Sequence, residues 1–268
     1  MTDLAFLHRM DKKNVGDFVC PPFMYFPFKP SINGDIIDES FDFTGIQTAI
    51  LGGGGLGRKG FQHHLDRIKQ KGPENIVIWG AGVDYVSNKS ELLEEGKEYD
   101  LYGNFFEEFS DVGIRVFSEN QKFRYVPCAS CMDNLFFKYR DVKPTKRVGY
   151  YNHKRNAIIP KKFTNRGYVS DNNGNDFESK LKFLSQFECI VTNSYHGVYW
   201  ASLLNRKVIV IPNKSGLLSF KHMPAVSWDG KITDDLIDSA IAHEGVLEES
   251  RKCNLDFYKD MADKYNLV

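Results

Sequence analysis

Short apolar runs, each closed by glycines or a polar turn and followed by a stretch with helical spacing, recur along the chain. Gln47–Leu51 is one such run, ending in Gly52-Gly53-Gly54-Gly55, and from Lys59 to Lys71 the apolar residues Phe61, Leu65 and Ile68 follow at helical intervals. Asn75–Trp79 closes on Gly80-Ala81-Gly82, and Asp111–Phe117 and Phe123–Pro127 are further strand-like runs. A charged stretch around Pro144, from Lys143 to Arg147, reads as a linker. Beyond it lie strands at Arg147–Tyr151, near Tyr168, at Cys189–Thr192 and at Lys207–Pro212, with helices over Asp176–Phe187 and Tyr195–Leu204 between them. A last helical stretch runs from about Asp234 to Tyr265 with a break near Gly245. Strands alternating with helices predict βαβ units and parallel sheets. The fold class is therefore α/β, with two Rossmann-like lobes whose parallel sheets face a cleft: an N-terminal lobe over residues 1–145 and a C-terminal lobe over 146–268, the last helix packing back on the N-terminal lobe. Such sheets bind ligands at the carboxyl ends of their strands.

Composition narrows the partners. With 42% apolar and 26% charged residues in 268, the chain can bury a core, which excludes wholesale disorder. Lys plus Arg (35) equals Asp plus Glu (35), so there is no overall positive field of the kind a nucleic-acid binder uses. The longest apolar runs, such as Asn75–Val83, fall short of the roughly 20 residues of a spanning helix, and Met1-Thr2-Asp3 opens no secretory signal. Five cysteines read as reduced thiols and point to a cytoplasmic protein.

Two turns carry the candidate chemistry. Gly52, Gly54 and Gly57 satisfy G-x-G-x-x-G between a strand and a helix, but the next strand ends in Trp79-Gly80-Ala81, without the acidic residue that would hold a dinucleotide ribose. The loop either lines an anionic or sugar ligand or serves a tight turn and close packing. In the second turn, Cys189–Thr192 leads through Asn193-Ser194-Tyr195-His196-Gly197 into a buried helix, with Asn193 or Ser194 as its N-cap. His196 then stands in the first helical turn, beside a flexible glycine, where an imidazole suits proton transfer; packing or capping is the alternative role. Cys128 and Cys131 form a lone C-x-x-C, read as loop packing because no second ligand pair accompanies it. His63-His64, adjacent on a helix, and the turn-like Asp171-Asn172-Asn173-Gly174 do not build a metal site, and no D-x-D or G-x-S-x-G occurs. Arg58, Arg115, Lys154 with Arg155, and Lys214 fall at strand ends, where together they suit a multiply charged anion.

In the order Asn14-Val15-Gly16-Asp17, Leu51–Leu56, Ile78–Gly82, Ile114–Ser118 and Val191–Gly197, the chain resembles the polysaccharide pyruvyl transferase family over residues 14 to 212. The resemblance implies a two-lobed GT-B-like fold and transfer of a pyruvyl group from phosphoenolpyruvate to two hydroxyls of a sugar, giving a cyclic ketal and phosphate. It makes His196 the catalytic acid/base and Arg115 an anion clamp; this chain has Val116 where the family usually has Asp. Lys154, Lys214, Ser215, Asn193 and Ser194 are the further donor-binding candidates, and Asn14, Asp17, Gly54, Gly55 and Arg58 line the acceptor side or its loop. No metal or cofactor is obligatory beyond phosphoenolpyruvate as co-substrate. The expected partner is a sugar or lipid-linked glycan acceptor, with no nucleic acid and no transmembrane segment; a homo-oligomer is compatible. The competing readings are a GT-B-type glycosyltransferase holding a nucleotide sugar near Lys214 and Ser215, and a non-catalytic glycan-binding protein.

Overall fold

The leading run of the chain, Leu4–His8 (β1), is buried at every position. In the computed structural model, which describes residues 2–84, 106–119, 122–155, 157–158 and 167–268, it is followed by a short helix, Val15–Phe18 (α1), then Ser31–Asp35 (β2), Thr48–Gly52 (β3), Lys59–Lys71 (α2), Asn75–Ala81 (β4), Asp111–Ile114 (β5) and Arg124–Tyr125 (β6). These six strands form one wholly parallel sheet in the order β2-β1-β3-β4-β5-β6. The second set comprises Leu135–Tyr139 (α3), Lys146–Asn152 (β7), Val169–Asp171 (β8), Phe177–Ser185 (α4), Phe187–Thr192 (β9), Tyr195–Leu203 (α5), Lys207–Val210 (β10), Ala225–Val226 (β11), Asp234–Ser239 (α6) and Val246–Tyr265 (α7). Its five strands are also parallel, in the order β11-β10-β9-β7-β8. Two parallel sheets with packed helices make a two-lobe, Rossmann-like α/β arrangement. β1 and β2 are strands that the pattern of apolar runs did not predict, and the final helical stretch is two helices, with Gly245 (φ 75°) capping the second.

Both sheets share one connectivity. The chain leaves the first strand in one direction, returns to its other side and continues outward, so the order reverses between β1 and β3 and again between β7 and β9. Reversal points open a crevice at the carboxyl ends of the strands, where ligands of open α/β sheets bind.

Helix α2 covers one face of the first sheet, its Phe61, Leu65 and Ile68 packing with Leu51, Ile78 and Val83. The opposite face is covered by α7, whose Phe257, Met261 and Ala262 meet Leu4, Phe6, Ile50, Val77 and Trp79. The last helix therefore lies on the first sheet although it follows the second in sequence. Trp79 Nε1 donates to Asn254 Oδ1 at 2.9 Å, and Asn254 Nδ2 donates to the Pro127 carbonyl at 3.1 Å, so the fully buried Asn254 is satisfied within this largely apolar layer. In the second lobe every residue of α5 except Ser202 is buried, as a helix apolar all round must be. Its core also takes in Val15, Val19 and Cys20 from the start of the chain, and Cys128 and Phe136 from the segment before β7. Val15 of α1, with Val19 and Cys20 just after it, thus packs with the second lobe.

Candidate functional site

The two reversal points face each other across one cleft. Its walls come from the segments after β1 (Asp11, Asn14, Asp17), after β3 (Gly55, Arg58), after β7 (His153, Lys154) and after β9 (Ser194, Tyr195, His196). Asp84 after β4, Arg115 after β5, Asn172 after β8 and Lys214 after β10 complete it.

His196 is the second residue of α5. Ser194 occupies the N-cap position in extended conformation, but its side chain makes no capping bond. The turn is held instead by Thr192, whose hydroxyl donates to the Tyr151 carbonyl at 2.6 Å and accepts the Ser194 N–H at 3.0 Å. A Cβ on Gly197 would stand 2.2 Å from that hydroxyl oxygen, so this glycine makes room for Thr192 and is a packing requirement within the helix. The imidazole of His196 lies 4.7 Å from the Trp200 ring and places Nε2 3.6 Å from Cys128 Sγ. Its other side rests on Gly16: a Cβ there would come within 2.0 Å of Nδ1 and 2.4 Å of Cε1. The Asn14-Val15-Gly16-Asp17 segment of the first lobe therefore reaches the histidine of the second by omitting a side chain. At 6% exposure the ring is buried yet borders the cleft. Burial first, then the charges of Arg115 and Lys214 and the neighbouring His153, hold its pKa well below the ordinary histidine value, so the imidazole is neutral at neutral pH.

Arg115 is the central cation. Its guanidinium lies 3.6 Å from the centre of the Tyr195 ring on one side and against Gly82 on the other, where a Cβ would come within 2.7 Å of Nε. The residue is 5% exposed, and Nε and Nη1 have no hydrogen-bond partner among the described residues. A buried cation with unmade hydrogen bonds is costly unless an anion satisfies it.

The other expected clamps are engaged. Lys154 forms an ion pair with Asp11 and donates to the Lys13 carbonyl at 3.3 Å. Lys214 pairs with Asp84 at 2.9 Å, and Asp84 also accepts the Gly216 N–H at 3.2 Å. Burial pushes the Asp84 carboxyl up, but Lys214, with Arg115 and Arg58, outweighs it and leaves the pKa below the ordinary value. Both lysines therefore link the lobes. Ser215 is buried at the start of a 3-10 turn, Ser215–Leu217, and does not border the cleft. Asn193 Oδ1 accepts the His153 N–H at 2.8 Å, a structural bond between β7 and β9. Arg58 borders the cleft with its guanidinium 4.7 Å from the Phe61 ring.

On the acceptor side, Asn14 donates to Asp17 Oδ2 at 2.7 Å and accepts from Asn172 Nδ2 at 2.9 Å. Desolvation raises the Asp17 pKa, outweighing the pull of Arg115 and the Asn14 hydrogen bond. In the glycine loop, Gly55 borders the cleft, whereas Gly53 (φ 66°) is needed where a Cβ would strike Cys20 at 2.3 Å. Gly54 (φ 67°) sits behind Asp17 and accepts the Gly82 N–H with its carbonyl at 2.8 Å. The loop thus serves packing at one end and the cleft at the other.

Asp11, Asp84, His153 and Asn172 are cleft residues the sequence reading did not single out as site candidates; each lies just past a strand, the position that would have found them. Cys128, whose lone C-x-x-C spacing points only to loop packing, contacts the imidazole. Among the described residues no group of three His, Cys, Asp or Glu side chains is arranged to hold a metal ion, and no helix is long and apolar enough to cross a membrane.

No family model matches the chain, and no curated protein does. Among solved structures that match is a protein of uncharacterized function from Klebsiella pneumoniae subsp. pneumoniae, 16% identical over 78% of this chain and 84% of that one, with a TM-score of 0.46.

Proposed function

We propose that the cleft binds phosphoenolpyruvate, in a GT-B-like arrangement of the lobes, and that the protein transfers its pyruvyl group to two hydroxyls of a sugar as a cyclic ketal. The observation that carries this reading is Arg115: a buried guanidinium with two nitrogens lacking partners, facing a cleft that also presents His196. A planar fork of N–H donors suits a carboxylate or phosphate in bidentate fashion. His196 is neutral without ligand; a multiply charged anion beside it raises its proton affinity, so the donor itself loads the imidazole for delivery of a proton to the methylene carbon. The resulting cationic centre at C2 is attacked by a sugar hydroxyl, and phosphate departs. Cytoplasmic glycan assembly is the setting this chemistry fits. A nucleotide-sugar donor has less support, because Lys214 is paired with Asp84 and Ser215 is buried and does not border the cleft.

Thermal denaturation tests the donor. Phosphoenolpyruvate should raise the melting temperature and uridine diphosphate sugars should not, since a ligand stabilises the state that binds it. Arg115→Met should abolish that shift without lowering the melting temperature of the free protein, because it removes an unsatisfied buried charge. His196→Ala should keep the shift and lose, by about 100-fold or more, phosphate release supported by a panel of methyl hexopyranosides. Stabilisation by the nucleotide sugars alone would transfer the case to glycosyl transfer.

A further inference from the structure

We propose that Asp17 is the base that takes the proton from the acceptor hydroxyl as this oxygen attacks C2 of the donor; the inference rests on the pyruvyl-transfer reading of the cleft. Three carboxylates line the cleft, and two are committed to cations: Asp11 to Lys154, and Asp84 to Lys214. Asp17 forms no ion pair among the described residues and is held by a neutral group, the Asn14 amide, at 2.7 Å. The Arg115 charge and the Asn14 amide each lower its proton affinity, and desolvation outweighs both. Its placement is equally specific. Gly16, the preceding residue, carries the His196 ring on its bare Cα, so the carboxyl and the imidazole are fixed to one another through a single backbone contact between lobes. Behind it Asp17 Oδ1 lies 3.8 Å from where a Cβ on Gly54 would be, so the glycine loop backs the carboxyl, which borders the cleft.

Protonated His196 delivers its proton to C3 of phosphoenolpyruvate, turning the methylene into a methyl group and leaving C2 cationic. The first hydroxyl oxygen forms its bond to C2 and its proton passes to the Asp17 carboxylate. The C2–O bond to phosphate breaks with its electron pair going to phosphate; the second hydroxyl closes the ketal, and its proton leaves with hydrogen phosphate. Return of the Asp17 proton to His196 resets the site.

Asp17→Asn, nearly isosteric, should retain the melting temperature and the phosphoenolpyruvate-induced shift, and lower phosphate release with the methyl hexopyranoside that best serves the wild type by about 100-fold or more. Asp17→Ala should regain part of its turnover with added formate, a recovery that a merely structural aspartate would not show. Turnover of Asp17→Asn within about threefold of wild type, absence of formate rescue, or loss of the phosphoenolpyruvate shift in Asp17→Asn would each overturn the assignment. Failure of the wild type itself to bind phosphoenolpyruvate or to release phosphate would remove the pyruvyl-transfer reading, and the role of Asp17 with it.

Discussion

Two seams join the sheets, and they are built from opposite materials. At the cleft the contacts between lobes are polar: Lys154 with Asp11, Lys214 with Asp84 at 2.9 Å, the Asn172 carbonyl with the Val15 N–H at 3.0 Å, and the bare Cα of Gly16 under an imidazole. Under α7 they are aromatic: Phe257 stands edge-on to Trp79 at 4.9 Å, and Phe26 stacks on Tyr258 at 4.6 Å. Burying large apolar side chains contributes far more to stability than such ion pairs, whose attraction is largely offset by the cost of desolvating both charges. The apolar seam therefore holds the lobes together. That leaves the polar seam free to keep groups that cost stability, an unsatisfied guanidinium at Arg115 and a neutral imidazole at His196, in the place where chemistry needs them.

Each seam responds to its own substitution. Phe257→Ala should cost about 3–5 kcal/mol in chemical denaturation while the phosphoenolpyruvate shift of the folded protein persists. A loss below about 1 kcal/mol would mean that α7 is not the clamp described above. Gly16→Ala should cost less, about 1–3 kcal/mol, because the new methyl group must displace a ring already confined by Cys128 and Trp200. Its turnover should fall further than its stability, a separation that assay and melting curve on one preparation would reveal.

The mildest effect is set by pH. Burial, the largest cause in each case, holds His8 and His153 to a pKa of about 4 and His196 well below its ordinary value. The unfolded chain protonates these residues near 6.5 and the folded chain refuses, so stability is fully present above about pH 6.5 and is lost as pH falls from there toward 4. Melting temperatures between pH 7.5 and 4.5 should decline over this window. A flat profile would show that the imidazoles accept protons in place, contrary to the buried settings of His8 and His196.

Legibility in the sequence followed burial. β3, β4, β9 and β10 are apolar runs closed by glycine or polar turns, because both faces of a parallel strand are covered, and each was readable. β1 is just as apolar but stands at the start of the chain with no preceding turn to frame it. β2, Ser-Ile-Asn-Gly-Asp, is an edge strand carrying turn residues, and only its pairing with β1 makes it a strand. His196 and Arg115 were legible as polar residues just past apolar strands. The commitment of Lys154 and Lys214 to carboxylates was not, since each partner lies more than 100 residues away along the chain and only the folded lobes bring them together. For the same reason Cys128 gave no sign of touching the imidazole.

Helix α1 has one more consequence. It leaves the first sheet in sequence and packs in the core of the second, carrying Gly16 and Asp17 with it. Any tilt of one sheet against the other must then either drag this short segment out of its foreign core or carry it along. A hinge motion wide enough to admit a bulky acceptor would have to pivot elsewhere, leaving residues 15 to 20 riding with the C-terminal half and the spacing of Asp17 and His196 independent of the angle between the lobes.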